Sequence, residues 1–200
     1  MLGLLPACVP SMNPLYTAKD LVFDPALVGV WAPNGSEETW RFEKVGEKRY
    51  GLTHTDDDGR KAEFEVHLVK LKKHLFLDLY LVNPGGDEDW KPNNLAAFAL
   101  IVRPGHMFMK VTQIEPELGI SFLDPDWLED LLKKNPKAVR HERLRFGGDE
   151  HDKSRLLLTA GTRELQRFVL KYAENEKAFG ESSSMKRLPT PLASEPPVQP

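Results

Sequence analysis

Six histidines, one cysteine and 30 acidic residues are the side chains that could do chemistry in this 200-residue chain. No two of His54, His67, His74, His106, His141 and His151 have the i, i+4 spacing that puts a metal-binding pair on one helix face. A hairpin could bring His67 and His74 near each other across Lys72-Lys73, which would make at most a surface metal pair, and solvated strand histidines are the commoner case. Asp56-Asp57-Asp58 before Gly59 lacks the alternating ligands and late Glu of a calcium loop, so it is read as a solvated hairpin turn. There is no Gly-x-Ser-x-Gly and no Gly-rich phosphate loop opening a helix. No nucleophile, base and orienting group can be named together. The expectation is therefore no catalytic residue, no metal and no cofactor.

Cys8 stands alone, which excludes an intramolecular disulfide and a Cys-rich zinc site. Its setting matters more than its number. Leu5-Pro6-Ala7-Cys8 resembles the end of a bacterial lipoprotein signal, in which a small residue precedes the cysteine that receives lipid. The segment before it is shorter than a full secretory signal, so this reading takes Met1 as lying inside a longer one. It implies a lipid-anchored protein of the bacterial cell envelope, and Val9 after the cysteine points to the outer membrane in a Gram-negative host. The alternative is an incidental cysteine in a disordered N-terminus, with a cytoplasmic location. Asn34-Gly35-Ser36 matches a glycosylation acceptor, which the bacterial reading leaves idle.

The elements that must position any site are mostly strands. Trp40 and Phe42 alternate with Thr39, Arg41 and Glu43; Tyr50, Leu52 and His54 with Arg49, Gly51 and Thr53; Phe64, Val66 and Leu68 with Glu63, Glu65 and His67. Leu75, Leu77 and Leu79 face away from Phe76, Asp78 and Tyr80. The turns at Gly46-Glu47, Asp58-Gly59 and Lys72-Lys73 are too short for anything but antiparallel neighbours, so residues 38–82 form a meander. Leu95 to Val102 and His106 to Ile114 predict a further hairpin, and residues 139–146 and 154–159 another. Asp124-Pro125 caps a helix that ends at Asn135-Pro136, and Leu165, Phe168, Val169 and Tyr172 mark a second helix after Gly161.

Phe23 to Trp31 is the most distinctive phrase. Gly29-Val30-Trp31 after a short helical turn is similar to the first strand of lipocalins and related calycins, in which the Trp closes one end of a barrel. That resemblance implies structural roles for Gly29 and Trp31. The family's Thr-Asp-Tyr turn is not found where it would be needed, and no late arginine is assigned to pack on Trp31. Taken whole, the chain resembles uncharacterised bacterial envelope lipoproteins that join a lipobox-like cysteine, an Asn-Pro-Leu-Tyr segment (Asn13 to Tyr16) and a β-rich domain.

The expected fold is a β-dominated α+β domain: an antiparallel meander of eight or nine strands, as a sheet or a partly closed lipocalin-like barrel, with two helices. Residues 1–21 are expected to be a signal remnant and tether, 22–179 the domain and 180–200, with Ser182-Ser183-Ser184 and Pro196-Pro197, a disordered tail. A net charge of −3 and a pI near 6.1 give no basic field for nucleic acid, and no apolar run approaches the ~18 residues of a spanning helix. A membrane would be met only through the lipid anchor. Two function classes follow: an envelope lipoprotein binding a small apolar ligand against Trp40, Phe42, Tyr50, Leu52, Phe64 and Val66, or a protein-interaction or structural module with no cavity, using a sheet edge or a loop such as Asp87 to Trp90. They differ in whether that apolar face surrounds a void or is filled by the second helix, which has enough apolar surface to fill it. Oligomeric state is left open.

Overall fold

The structure, a computed structural model, describes residues 9–83, 105–146 and 153–189. The four strands of the meander appear where the alternation places them: β4 (Thr39–Gly46), β5 (Arg49–Thr55), β6 (Lys61–Leu71) and β7 (His74–Asn83). They follow β1 (Pro10–Ser11), β2 (Leu21–Val22) and β3 (Gly29–Pro33), and precede β8 (His106–Gln113) and β9 (Glu117–Phe122). Helix α1 (Pro125–Lys134), strands β10 (His141–Phe146) and β11 (Lys153–Leu158), helix α2 (Thr162–Tyr172) and strand β12 (Ser183–Arg187) complete the order. The expected strand at residues 95–102 and the turn at 147–149 lie outside the described residues.

Strands β3 to β9 pair in sequence, and β12 inserts antiparallel between β9 and β3. The ring is thereby closed: the protein is a β-dominated α+β structure built on an eight-stranded antiparallel barrel of lipocalin-like form. A strand from Gly180 to Pro200 was not expected, because that stretch is rich in Ser and Pro and offers one apolar side chain, Met185. The backbone supplies what composition does not, since β12 pairs on both edges and Met185 alone is driven into the barrel.

Two apolar cores lie on opposite sides of the same strands. Inside the barrel sit Trp31, Trp40, Phe42, Tyr50, Leu52, Phe64, Val66, Leu77, Leu79, Met109, Ile120 and Met185. Outside it, Val69, Leu71, Phe76 and Phe108 pack under Leu128 and Leu132 of α1 and Leu165, Phe168 and Val169 of α2. Strand β6 therefore buries both faces over Val66 to Val69, and its alternation gives way to a continuous buried run. The second helix docks on the outer wall and does not enter the barrel. Asp124 caps α1 by accepting from Trp127 N, as the Asp-Pro pair predicts.

Residues 9–20, expected to be a tether, lie against the domain as a strap. Ser11 sits between His106 of β8 and Leu158 of β11, so β1 joins the barrel to the β10–β11 hairpin. The Asn13 side-chain amide donates to Ala160 O, Thr162 Oγ1 donates to Pro14 O, and Gln166 Nε2 donates to Leu15 O and to the Asp20 carboxylate. The Asn-Pro-Leu-Tyr phrase is thus the part of the strap clamped between α2 and the barrel wall. Its prolines suit an extended segment held from both sides by other groups.

Candidate functional site

The barrel has one sealed end, and its chemistry begins at the backbone of Gly29. That residue has φ +141°, a conformation side-chain-bearing residues rarely adopt, and a Cβ there would overlap Nη1 of Arg187. The Arg187 guanidinium lies 4.3 Å from the Trp31 ring centroid and donates to the carbonyls of Val28 and Ala26. Trp31 is fully buried and its indole N–H donates to Leu27 O at 2.9 Å. A late arginine does pack on Trp31, contrary to expectation; it arrives on the strand that composition hid. Phe23 stacks on Tyr50 at 4.8 Å, and the Tyr50 hydroxyl accepts from Asp24 N and donates to Asp24 O. Burial pushes the Tyr50 hydroxyl pKa up to about 12.

Trp40, Phe42, Tyr50, Leu52, Phe64 and Val66 all point into the barrel and are 0–3% exposed. They belong to one packed cluster with Trp31, Leu77, Leu79, Met109 and Ile120. An eight-stranded barrel is narrow enough for side chains alone to fill, and this one carries two tryptophans, a tyrosine and two phenylalanines on its inner face.

At the other end, where β4 and β6 begin and β5 ends, the interior turns polar. Glu38 accepts from Trp40 Nε1 at 2.6 Å and from His54 Nε2 at 2.9 Å, and both acid and imidazole are buried. Burial pushes the Glu38 pKa up, but the hydrogen bonds from His54 and Trp40 outweigh it and hold the group below the usual carboxylate range. An ionised carboxylate has only acceptors, so the proton between the two residues sits on His54 Nε2. Asp57 delivers Glu38 to this position: its Oδ1 accepts from Ser36 Oγ at 2.6 Å and from the backbone N–H of Glu37 and Glu38. The Asp56–Asp58 turn is therefore more than a solvated hairpin. The acceptor-like Asn34-Gly35-Ser36 segment is the loop that Asp57 pins.

Sequence reasoning put His54 and His67 on opposite faces, and they lie inside and outside the barrel. His67 and His74 do not pair, because His67 opposes Asp78 and His74 opposes Leu71, four residues or about 13 Å apart along the strand. His74 is instead near Glu174. Among the described residues no group of three or more His, Cys, Asp and Glu is arranged to hold a metal, and no helix is long and apolar enough to cross a membrane. Cys8 and the Asp87–Trp90 loop lie outside the described residues. What sequence reasoning missed is a polar cluster on the outer wall around Asp78, which the strap covers. Asp78 Oδ2 accepts from Leu15 N at 2.7 Å and Oδ1 from His106 Nδ1 at 2.6 Å.

These features define a class, the closed eight-stranded barrel with a helical layer on its outer wall. Neither a protein-family model, nor a curated protein, nor a solved structure matches the chain.

Proposed function

We propose that the domain is a non-enzymatic interaction module of the cell envelope, anchored by lipid at Cys8, whose barrel is a rigid scaffold carrying its function on the outside. The observation that carries this reading is the packing of Trp40, Phe42, Tyr50, Leu52, Phe64 and Val66, whose 0–3% exposure supports an interior filled by the protein's own side chains. A carrier needs apolar walls with unclaimed contact area. Here the helices pack elsewhere, and the inner residues meet one another. Among the described residues β10 pairs only with β11, leaving an edge for a partner strand. An apolar ligand inside the barrel is the second reading, favoured by the closed ring itself, because eight-stranded barrels include ligand carriers.

Native mass spectrometry of the full-length protein from its own host separates the two. The scaffold reading expects bare protein or protein complexes, while a stoichiometric co-purifying lipid would replace it with the carrier reading. Uptake of labelled fatty acid by the wild type and its loss in Cys8→Ser tests the anchor. No uptake would leave a cytoplasmic interaction module.

A further inference from the structure

The outer wall of the barrel gathers polar groups that the packing leaves unanswered. In the register of β6, β7 and β8, Glu65 opposes Tyr80 and Tyr80 opposes His106, while His67 opposes Asp78. These side chains share the outward face in two adjacent rows, with cross-strand neighbours about 5 Å apart. Tyr16 of the strap lies over them, its ring centroid 4.4 Å from that of His67 and, edge-on, 6.4 Å from that of His106; the Tyr80 ring is 5.2 Å from His106.

Asp78 is 1% exposed and, as a carboxylate, accepts from both Leu15 N and His106 Nδ1. The His106 proton is thereby fixed on Nδ1, and Nε2 presents a lone pair. Among the described residues, Nε2 of His106, both ring nitrogens of His67 and the hydroxyls of Tyr16 and Tyr80 have no hydrogen-bond partner. His67 is 8% exposed, and the nearest charged atom to its Nε2 is Glu65 Oε1, at 3.8 Å. Buried polar groups of this kind are normally paired.

The charge around them is negative. Glu65 is matched by Arg49 at 3.2 Å, and Asp78 has no cation against it while the imidazoles are neutral. Burial keeps His67 neutral by lowering its pKa, against the pull of Glu65 and Asp78. Burial first, and then the charges of Asp78 and Glu65, raise the Tyr16 pKa to about 12. An anion would meet two carboxylates, and an apolar group would leave the lone pairs orphaned. A group with several N–H donors and one positive charge answers each feature, and the faces of Tyr16 and Tyr80 suit a cation as well.

We propose that Glu65, His67, Asp78, Tyr80 and His106, beneath Tyr16, form a receptor for an alkylammonium group. Its source is either a free small amine or a lysine side chain of a partner protein. The site does not depend on whether the barrel interior is filled.

The test is an NMR titration of the histidine ring resonances of the full-length protein with n-butylammonium chloride at constant ionic strength, with n-butanol and inorganic phosphate as controls. Saturable one-site shifts of His67 and His106 are expected, with a Kd of about millimolar for so small a ligand. Tyr80→Leu, at a half-exposed position, should weaken binding about tenfold. Asp78→Asn should weaken it as much or more, and Tyr80→Leu keeps the test decisive if that variant loosens the strap. Tighter binding of Nα-acetyl-lysine amide assigns the site to a partner's lysine, and equal binding to a free amine. Non-saturating shifts, an equal response to n-butanol, preference for phosphate, or a Tyr80→Leu variant that binds like the wild type would each overturn the proposal.

Discussion

Gly29, Trp31 and Arg187 make an interaction that can be measured as a unit. Arg187→Ala removes a cation–π contact of about 1 kcal/mol and two hydrogen bonds worth about 1 kcal/mol each before solvent screening. The side chain is 37% exposed, and water can replace part of what the two carbonyls lose, so a net destabilisation of about 2 kcal/mol is expected. Gly29→Ala forces an alanine into φ +141°, which costs roughly 2 kcal/mol of backbone strain. Its Cβ also evicts the guanidinium and so repeats the Arg187 loss, for a total of about 4 kcal/mol. In the Arg187→Ala background there is nothing left to evict. Adding Gly29→Ala there should cost only the strain, about 2 kcal/mol, and the double variant should be about 2 kcal/mol more stable than the two single losses added together. Urea denaturation of the four proteins, with slopes compared to confirm a common two-state transition, gives the cycle. Additivity within about 0.5 kcal/mol would refute the reasoning, since it would mean that residue 29 and the guanidinium do not compete for one space.

Glu38→Ala should destabilise by roughly 3–5 kcal/mol because it strands the Trp40 and His54 N–H groups in the barrel, whereas Glu38→Gln, which keeps one side-chain oxygen, should lose clearly less. Denaturant midpoints decide this, and a loss below about 1 kcal/mol for Ala would mean that water reaches the pair. On the acid side, burial holds the His67 and His74 pKa values below 6.5, so unfolding takes up protons and stability should fall as pH drops below 6.5. Below the 4.5 of an unfolded Glu, the depressed Glu38 pKa should add a second loss as pH falls through its folded value. On the alkaline side, Tyr16 and Tyr50 hold their protons to about 12 against 10.0 when unfolded, so stability should be lost as pH rises from 10 through 12. A urea midpoint that rises between pH 6.5 and 4.5 would contradict the acid-side assignment.

The meander was legible because its inner face must be apolar and its outer face largely is not. Trp40, Phe42, Tyr50, Leu52, Phe64 and Val66 announce the period of two without help from the rest of the chain. Where a second layer covers the outer wall, as at Val69, Phe76 and Phe108, the alternation blurs, yet hairpin turns still fix the order. Strand β12 was illegible for a different reason. Its stability comes from backbone pairing on two edges, and backbone groups are the same in every sequence, so a serine run gave no sign of it. Arg187 went unrecognised with it. The outer-wall cluster was hidden by distance: Leu15, Asp78 and His106 are joined only by the register of β7 and β8 and by the path of the strap, which Pro10 and Pro14 leave without periodicity.

Closure by β12 sets a schedule for the growing polypeptide. Trp31 waits for Arg187, its partner in the register, and the two are separated by about 150 residues, or roughly 8–30 s of synthesis at ordinary elongation rates. Until then β3 and β9 each present an open edge, and the apolar inner face between them is unsealed. A chain stopped before Ser183 would keep nearly all of its apolar residues and still lack the piece that makes the sheet a ring. Such a product belongs with the species that pair edge to edge with their own copies, and clearing interrupted translation products of this protein falls to the cell's chaperones and proteases.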